Sequence, residues 1–198
     1  MNRKLIQLLL SVSAVSVLSS CGWQAIPQAK NGYEAAVAEV TNQYKRREDL
    51  IPNLVNVVKG YAKHESETLE QVTQARANAS SMTIDPSKLT AEQLQKFQQS
   101  QGQLSQALGR LMVVVEKYPD LKADANFRDL QAQLEGTENR ITVARQRLIE
   151  AIQNFNNMVT VPPTSWTNSL MYHFEKMAQW DLQADEKAKA EKPPEVKF

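Results

Sequence analysis

Residues 94–118, LQKFQQSQGQLSQALGRLMVVVEKY, decide the fold class. Leu94, Phe97, Gln101, Leu104, Leu108, Leu111, Val115 and Tyr118 recur at alternating steps of three and four. That spacing draws one stripe along an α-helix and suits a seam between helices. Gln101 is its polar member. Thr90, with Gln93 three residues on, reads as a capping box before the first apolar residue. Pro119 lacks an N–H and cannot extend the helix.

The same rhythm recurs on both sides. Phe127, Leu130, Leu134, Thr137, Ile141, Ala144, Leu148, Ala151, Phe155 and Met158 predict another long helix. Asp124 or Asn126 is placed to cap it, and Pro162-Pro163 stops it. Upstream, a seam from Tyr33 through Val37, Val40, Tyr44, Arg47, Ile51, Leu54, Val58, Tyr61, Glu65, Leu69, Val72 and Arg76 to Ala79 predicts one helix over about 28–80, kinked or divided at Pro52. Trp166, Leu170, Phe174, Met177 and Trp180 share one face of a shorter helix over 165–180. The expected fold class is all-α, an antiparallel long-helix bundle of three long helices plus one short helix.

Short loops align the helices antiparallel, and this predicts levels. Gly60 falls opposite Gly109. Glu65, Gln101 and Thr137 fall near one level as a candidate polar layer that fixes register. Arg46 and Arg47 fall near the turn holding Asp120 and Asp124, a candidate ion-pair clamp. Before Pro52 the first helix runs past its neighbour as a stalk of about 30 Å, at 1.5 Å per residue.

The first twenty residues read as an address. Arg3 and Lys4 precede a short apolar run, and Leu18-Ser19-Ser20-Cys21 has the form of a bacterial lipobox. The run is shorter than the about 20 apolar residues a membrane span needs. Cys21, the single cysteine, is the expected lipidation site. Cleavage before it leaves 21 basic residues against 22 acidic. Gly22 rather than Asp favours the periplasmic face of the outer membrane if the cell has two membranes. Trp23 stands where an indole suits the headgroup zone. The expected organisation is a lipoprotein signal over 1–20, an anchor linker over 21–32, a bundle with its stalk over 33–180 and a disordered, charged tail over 181–198.

Composition excludes several functions. The net charge of +1 on 198 residues argues against nucleic acid as the main partner, since phosphate binding needs a clustered basic surface. One cysteine excludes an intrachain disulfide and a cysteine-based zinc site. His64-Glu65-Ser66-Glu67-Thr68 fails the HExxH pattern at Thr68, with only His173 left to complete a zinc site. Asp120, Asp124 and Asn126 alternate like a calcium loop, but Lys122 occupies a ligand position and the glycine is missing. Glu135 and Glu138 lie on one helical face, and no serine sits in a nucleophile elbow. No cofactor is expected, and the chain reads as non-enzymatic.

Three stretches carry a family resemblance: Asn42–Glu65, NQYKRREDLIPNLVNVVKGYAKHE; Leu108–Leu121, LGRLMVVVEKYPDL; and Leu134–Arg145, LEGTENRITVAR. They resemble the signatures of the LemA family, as does the ending PPEVKF. The resemblance implies an N-terminally anchored bundle of three long helices and a short one, with no established enzymatic activity. Many members carry an uncleaved N-terminal membrane helix where this chain has a lipobox. The region from Trp166 to Trp180 also departs from the common Phe/Gly-rich version. The expected function is that of a cell-envelope lipoprotein, membrane-bound through Cys21, acting as an interaction or scaffold module. The alternatives are an accessory subunit of an envelope hydrolase or protease, or an unrecognised enzyme. Candidate partner-binding residues are Trp166, Phe174 and Trp180. Val196 and Phe198 are added because Val196-Lys197-Phe198 has the form of ending that a PDZ domain of an envelope protein reads.

Overall fold

The computed structural model describes residues 23–180. The signal, Cys21 and the tail, with Val196 and Phe198, lie outside the described residues. Within them the fold is all-α, with no strand. The helices are α1 (Ala25–Tyr61), α2 (Ser66–Ser80), α3 (Ala91–Val115), the short α4 (Pro119–Ala123), α5 (Ala125–Thr160) and a single turn α6 (Thr164–Thr167), which continues as a π-turn over Asn168–Tyr172.

The frame is the pair α1 and α5, 37 and 36 residues long, each about 55 Å at 1.5 Å per residue. They run antiparallel over their whole lengths. Tyr33 meets the Phe155 ring, Glu39 accepts from Arg147, Arg47 meets Glu138, and Tyr61 meets Asp124. The buried stripe of α5 is Phe127, Leu134, Thr137, Ile141, Ala144, Leu148, Ile152, Phe155 and Val159. The last turns bury Ile152 and Val159 rather than Ala151 and Met158, because 3.6 residues per turn drifts away from a strict seven-residue repeat.

The single helix expected over 28–80 is instead a hairpin. It breaks after Tyr61, not at Pro52, and α2 folds back along α1. The polar run Lys63-His64-Glu65-Ser66-Glu67-Thr68 gives the chain no apolar face with which to continue. Pro52 is accommodated inside α1. A proline there deprives the carbonyl four residues back, that of Glu48, of its helical donor. Arg76 on α2 supplies a replacement, its Nε–H donating to the Glu48 oxygen at 2.9 Å.

The hairpin changes the levels. Because α2 takes one reversal, α3 runs parallel to α1, with Tyr44 edge-on to Phe97 at 5.1 Å. Gly60 and Gly109 are therefore not opposed. A Cβ built on either meets nothing within 4 Å. The capping box at Thr90–Gln93 is present, with Gln93 N donating to Thr90 Oγ1 at 3.2 Å and Thr90 N to Gln93 Oε1 at 3.0 Å. Asp124 caps α5 through the Phe127 N–H at 2.9 Å.

A lone stalk is absent. The lower half of α1 is buried against α5 by Ile26, Ala29, Tyr33, Val37 and Val40. Helix already begins at Ala25, so the expected linker over 21–32 is cut short by packing of Ile26 and Ala29. The expected helix over 165–180 also ends early. His173 adopts a left-handed backbone, φ 54°, and the chain reverses into an extended strap over 173–180. Two asparagine side chains hold the strap as a neighbouring backbone would. Asn168 donates Nδ2–H to the Phe174 carbonyl and accepts from its N–H, both at 3.0 Å. Asn156 does the same for Met177, at 3.0 and 2.8 Å.

Candidate functional site

A buried polar layer crosses the bundle at mid-height. Arg47 occupies a seam position of α1 and is 1% exposed. A guanidinium at that depth needs several acceptors to offset its desolvation. It finds them on α3 and α5. Nη1 donates to Glu138 Oε1 at 2.7 Å and Ser105 Oγ at 2.9 Å. Nη2 donates to Gln101 Oε1 at 2.6 Å and to the Gln101 carbonyl at 3.2 Å. Its face lies over the Tyr44 ring, 5.0 Å from the centroid.

Glu48, the next residue, is buried beside it. Its Oε1 accepts from Gln101 Nε2 at 2.8 Å, and its Oε2 from Ser80 Oγ at 2.8 Å. Gln101 thus accepts from the cation and donates to the anion, which its amide can do and a carboxylate cannot. Four helices, α1, α2, α3 and α5, meet in this one network.

Of the expected layer, Gln101 and Thr137 are buried and Glu65 is elsewhere. Thr137 Oγ1 back-bonds to the Gln133 carbonyl at 2.8 Å within its own helix. Glu65 precedes α2 at the far end of the bundle, where it accepts from Tyr118 Oη at 3.2 Å. The hairpin after Tyr61 moves it there.

The expected clamp is also redistributed. Arg47 pairs with Glu138, not Asp120 or Asp124. Asp124 accepts from Tyr61 Oη at 2.9 Å, and Tyr61 lies about 21 Å from Arg47 along the same helix. Arg46 and Asp120 are exposed. The Phe127 N–H first, then the Tyr61 hydroxyl, holds the Asp124 carboxyl below the usual carboxylate range. The same carboxylate raises the Tyr61 phenol. Loss of solvent, then the bond to Glu65, raises Tyr118.

The aromatic candidates separate. Trp180 is buried beside Phe97, 6.5 Å away, with the Arg145 guanidinium 5.4 Å over its ring. Phe174 stacks on Tyr172 at 5.5 Å and carries Lys30 over its face. Among the described aromatic candidates only Trp166 stays open, at 69% exposure. Helical spacing suggested one face; the reversal at His173 splits it. Glu48 and Arg76 escaped sequence reasoning, although Pro52 four residues after Glu48 signals an orphaned carbonyl.

Between α3 and α5 lies an open groove of about 250 Å³. Leu108, Gly109 and Met112 form one wall, Leu134, Glu135 and Glu138 the other. Among the described residues no group of three or more His, Cys, Asp or Glu could hold a metal ion, and no helix is long and apolar enough to cross a membrane.

A family model described as "LemA family" matches residues 36–198. The chain is similar to "Protein LemA" of Metamycoplasma hominis, 26% identical over 139 residues. That match takes in 70% of this chain and spans 58% of the relative's length.

Proposed function

Because the chain belongs to the LemA family, we propose that its bundle is a non-catalytic interaction module, tethered in the cell envelope by lipid on Cys21. The lipobox supports the tether: the single cysteine of the chain follows Leu18-Ser19-Ser20. By the residue after it, Gly22, the periplasmic face of the outer membrane is the destination in a cell with two membranes.

The observation that carries the module is the groove between α3 and α5. Its floor is apolar, from Leu108, Met112 and Leu134, and its rim carries Glu135. At Gly109 nothing stands within 4 Å of the place a Cβ would take. Such a surface accepts an apolar side chain flanked by a cationic one from another envelope protein. The buried charges nearby serve the fold. Arg47 bonds to Glu138, Gln101 and Ser105, and Glu48 to Gln101 and Ser80, so both hold the helices of the bundle to one another.

The test has two arms. Cys21→Ser should abolish incorporation of labelled fatty acid; unchanged labelling removes the tether. A photocrosslinker at Met112 should give discrete adducts in intact cells, and Gly109→Trp, which fills the groove, should erase them. Adducts indifferent to Gly109→Trp remove the groove as the binding surface.

A further inference from the structure

The end of the bundle that carries the chain's N-terminal side has an unusual surface. Leu170 is 81% exposed, Trp166 69%, Trp23 58%, Val161 53% and Met171 43%. Scattered exposed apolar residues are ordinary, but a group of this size on one end needs a reason. The group is held together rather than loose. Tyr172 Oη donates to the Trp23 carbonyl at 2.7 Å, fixing the π-turn against the start of α1.

Among the described residues, two stretches without charge meet at the same end. From Ala151 to Phe174 the sequence contains no Asp, Glu, Lys or Arg, and neither does the stretch from Cys21 to Ala29. The two stretches are far apart in sequence, yet the antiparallel pairing of α1 with α5 brings them to one end, where Ile26 and Ala29 pack with Phe155 and Val159. In a chain with 23% charged residues, a charge-free end with exposed tryptophans has the composition of a surface seated among lipid headgroups. The nearest cations, Lys30 and Lys176, flank this end rather than interrupt it.

We infer that this tip, Trp166, Leu170 and Met171 with Trp23, is seated in the interface of the bilayer that holds the lipid on Cys21. The inference rests on the tether proposed above. Two residues of chain span at most about 7 Å, so an acyl anchor on Cys21 holds Trp23 within headgroup depth. The tether supplies the membrane, and the tip fixes how the bundle stands on it. The lipid alone fixes one point of the bundle; with the tip as a second contact, α1 and α5 are held at a defined angle to the surface.

Tryptophan fluorescence in brominated vesicles tests the contact. Full-length processed protein carrying Trp23→Phe is reconstituted into vesicles of phosphatidylethanolamine and phosphatidylglycerol with bromine near the headgroup end of the acyl chains. The intact mass of the same sample reports the lipid on Cys21. Trp180, packed on Phe97 midway up the bundle, serves as the unquenched internal reference. Bromine should remove most of the Trp166 emission, and adding the conservative, surface-exposed Trp166→Phe should abolish the quenchable fraction. If the protein carries its lipid and floats with the vesicles while Trp166 stays unquenched, the tip proposal is overturned and the tether stands; contact of this surface with a second copy or another protein would give that result. If the mass shows no lipid, the tether fails and the seated tip fails with it.

Discussion

Arg76 donates its Nε–H to the carbonyl oxygen of Glu48 at 2.9 Å, the acceptor that Pro52 leaves without its helical N–H. One side chain on α2 thereby lets α1 run unbroken through a proline, and ties the hairpin to the level of the buried polar layer.

Truncating that side chain should cost stability in a way that depends on Pro52. Arg76→Ala is expected to lose about 1–3 kcal/mol by orphaning a buried carbonyl. In a Pro52→Ala background the helix supplies its own donor, and the loss from Arg76→Ala should shrink. Urea denaturation of the four proteins checks this cycle; equal losses in both backgrounds would show that the two residues are not coupled.

Gln101 and Thr137 should behave differently despite equal burial. Gln101→Leu removes a partner from both Arg47 and Glu48, an expected cost of about 1–3 kcal/mol. Thr137→Val removes only a bond to the Gln133 carbonyl in its own helix and should cost well under about 1 kcal/mol. Thermal melts decide; similar losses from the two would contradict a network centred on Gln101.

Asp124 gives a pH dependence with a defined sign. Its folded carboxyl titrates below its unfolded value, held there by the Phe127 N–H first and the Tyr61 hydroxyl second. The stabilisation is therefore present above the ordinary carboxylate range and lost as pH falls through the lowered value. Asp124→Ala should lower Tm near pH 7, and the gap from the parent should narrow below about pH 4, near the reference carboxylate range. A gap constant with pH would assign the effect to something other than the charged cap.

Gly109 and Gly136 sit in the interiors of α3 and α5, and a Cβ on either meets nothing within 4 Å. Replacing each by alanine should raise stability by about 0.5–1 kcal/mol through lost freedom of the unfolded chain. A drop in the denaturation midpoint would reveal a close approach there.

The seam in residues 94–118 was enough to read α3, and that of 127–158 enough for α5, because both helices keep one buried stripe from end to end. Arg47 at a seam position likewise signalled a buried cation in want of partners. Its partners were not legible, since they depend on which helices run side by side, and that turned on the break after Tyr61. There the seam is formally continuous through Tyr61, Glu65 and Leu69, so periodicity alone cannot distinguish a straight helix from a hairpin. The strap was hidden for a related reason. Phe174, Met177 and Trp180 keep helical spacing, while the asparagines that hold them extended, Asn156 and Asn168, lie elsewhere in the chain.

The reversal at His173 also fixes the height at which the strap ends. By Trp180 the chain has climbed from the tip back to Phe97, beside Tyr44 of α1. Tyr44 is about 30 Å along the helix from Trp23. Trp180 therefore stands on the flank of the bundle at that height, so the strap braces the pair α1 and α5 from the tip to the level of the Tyr44 ring.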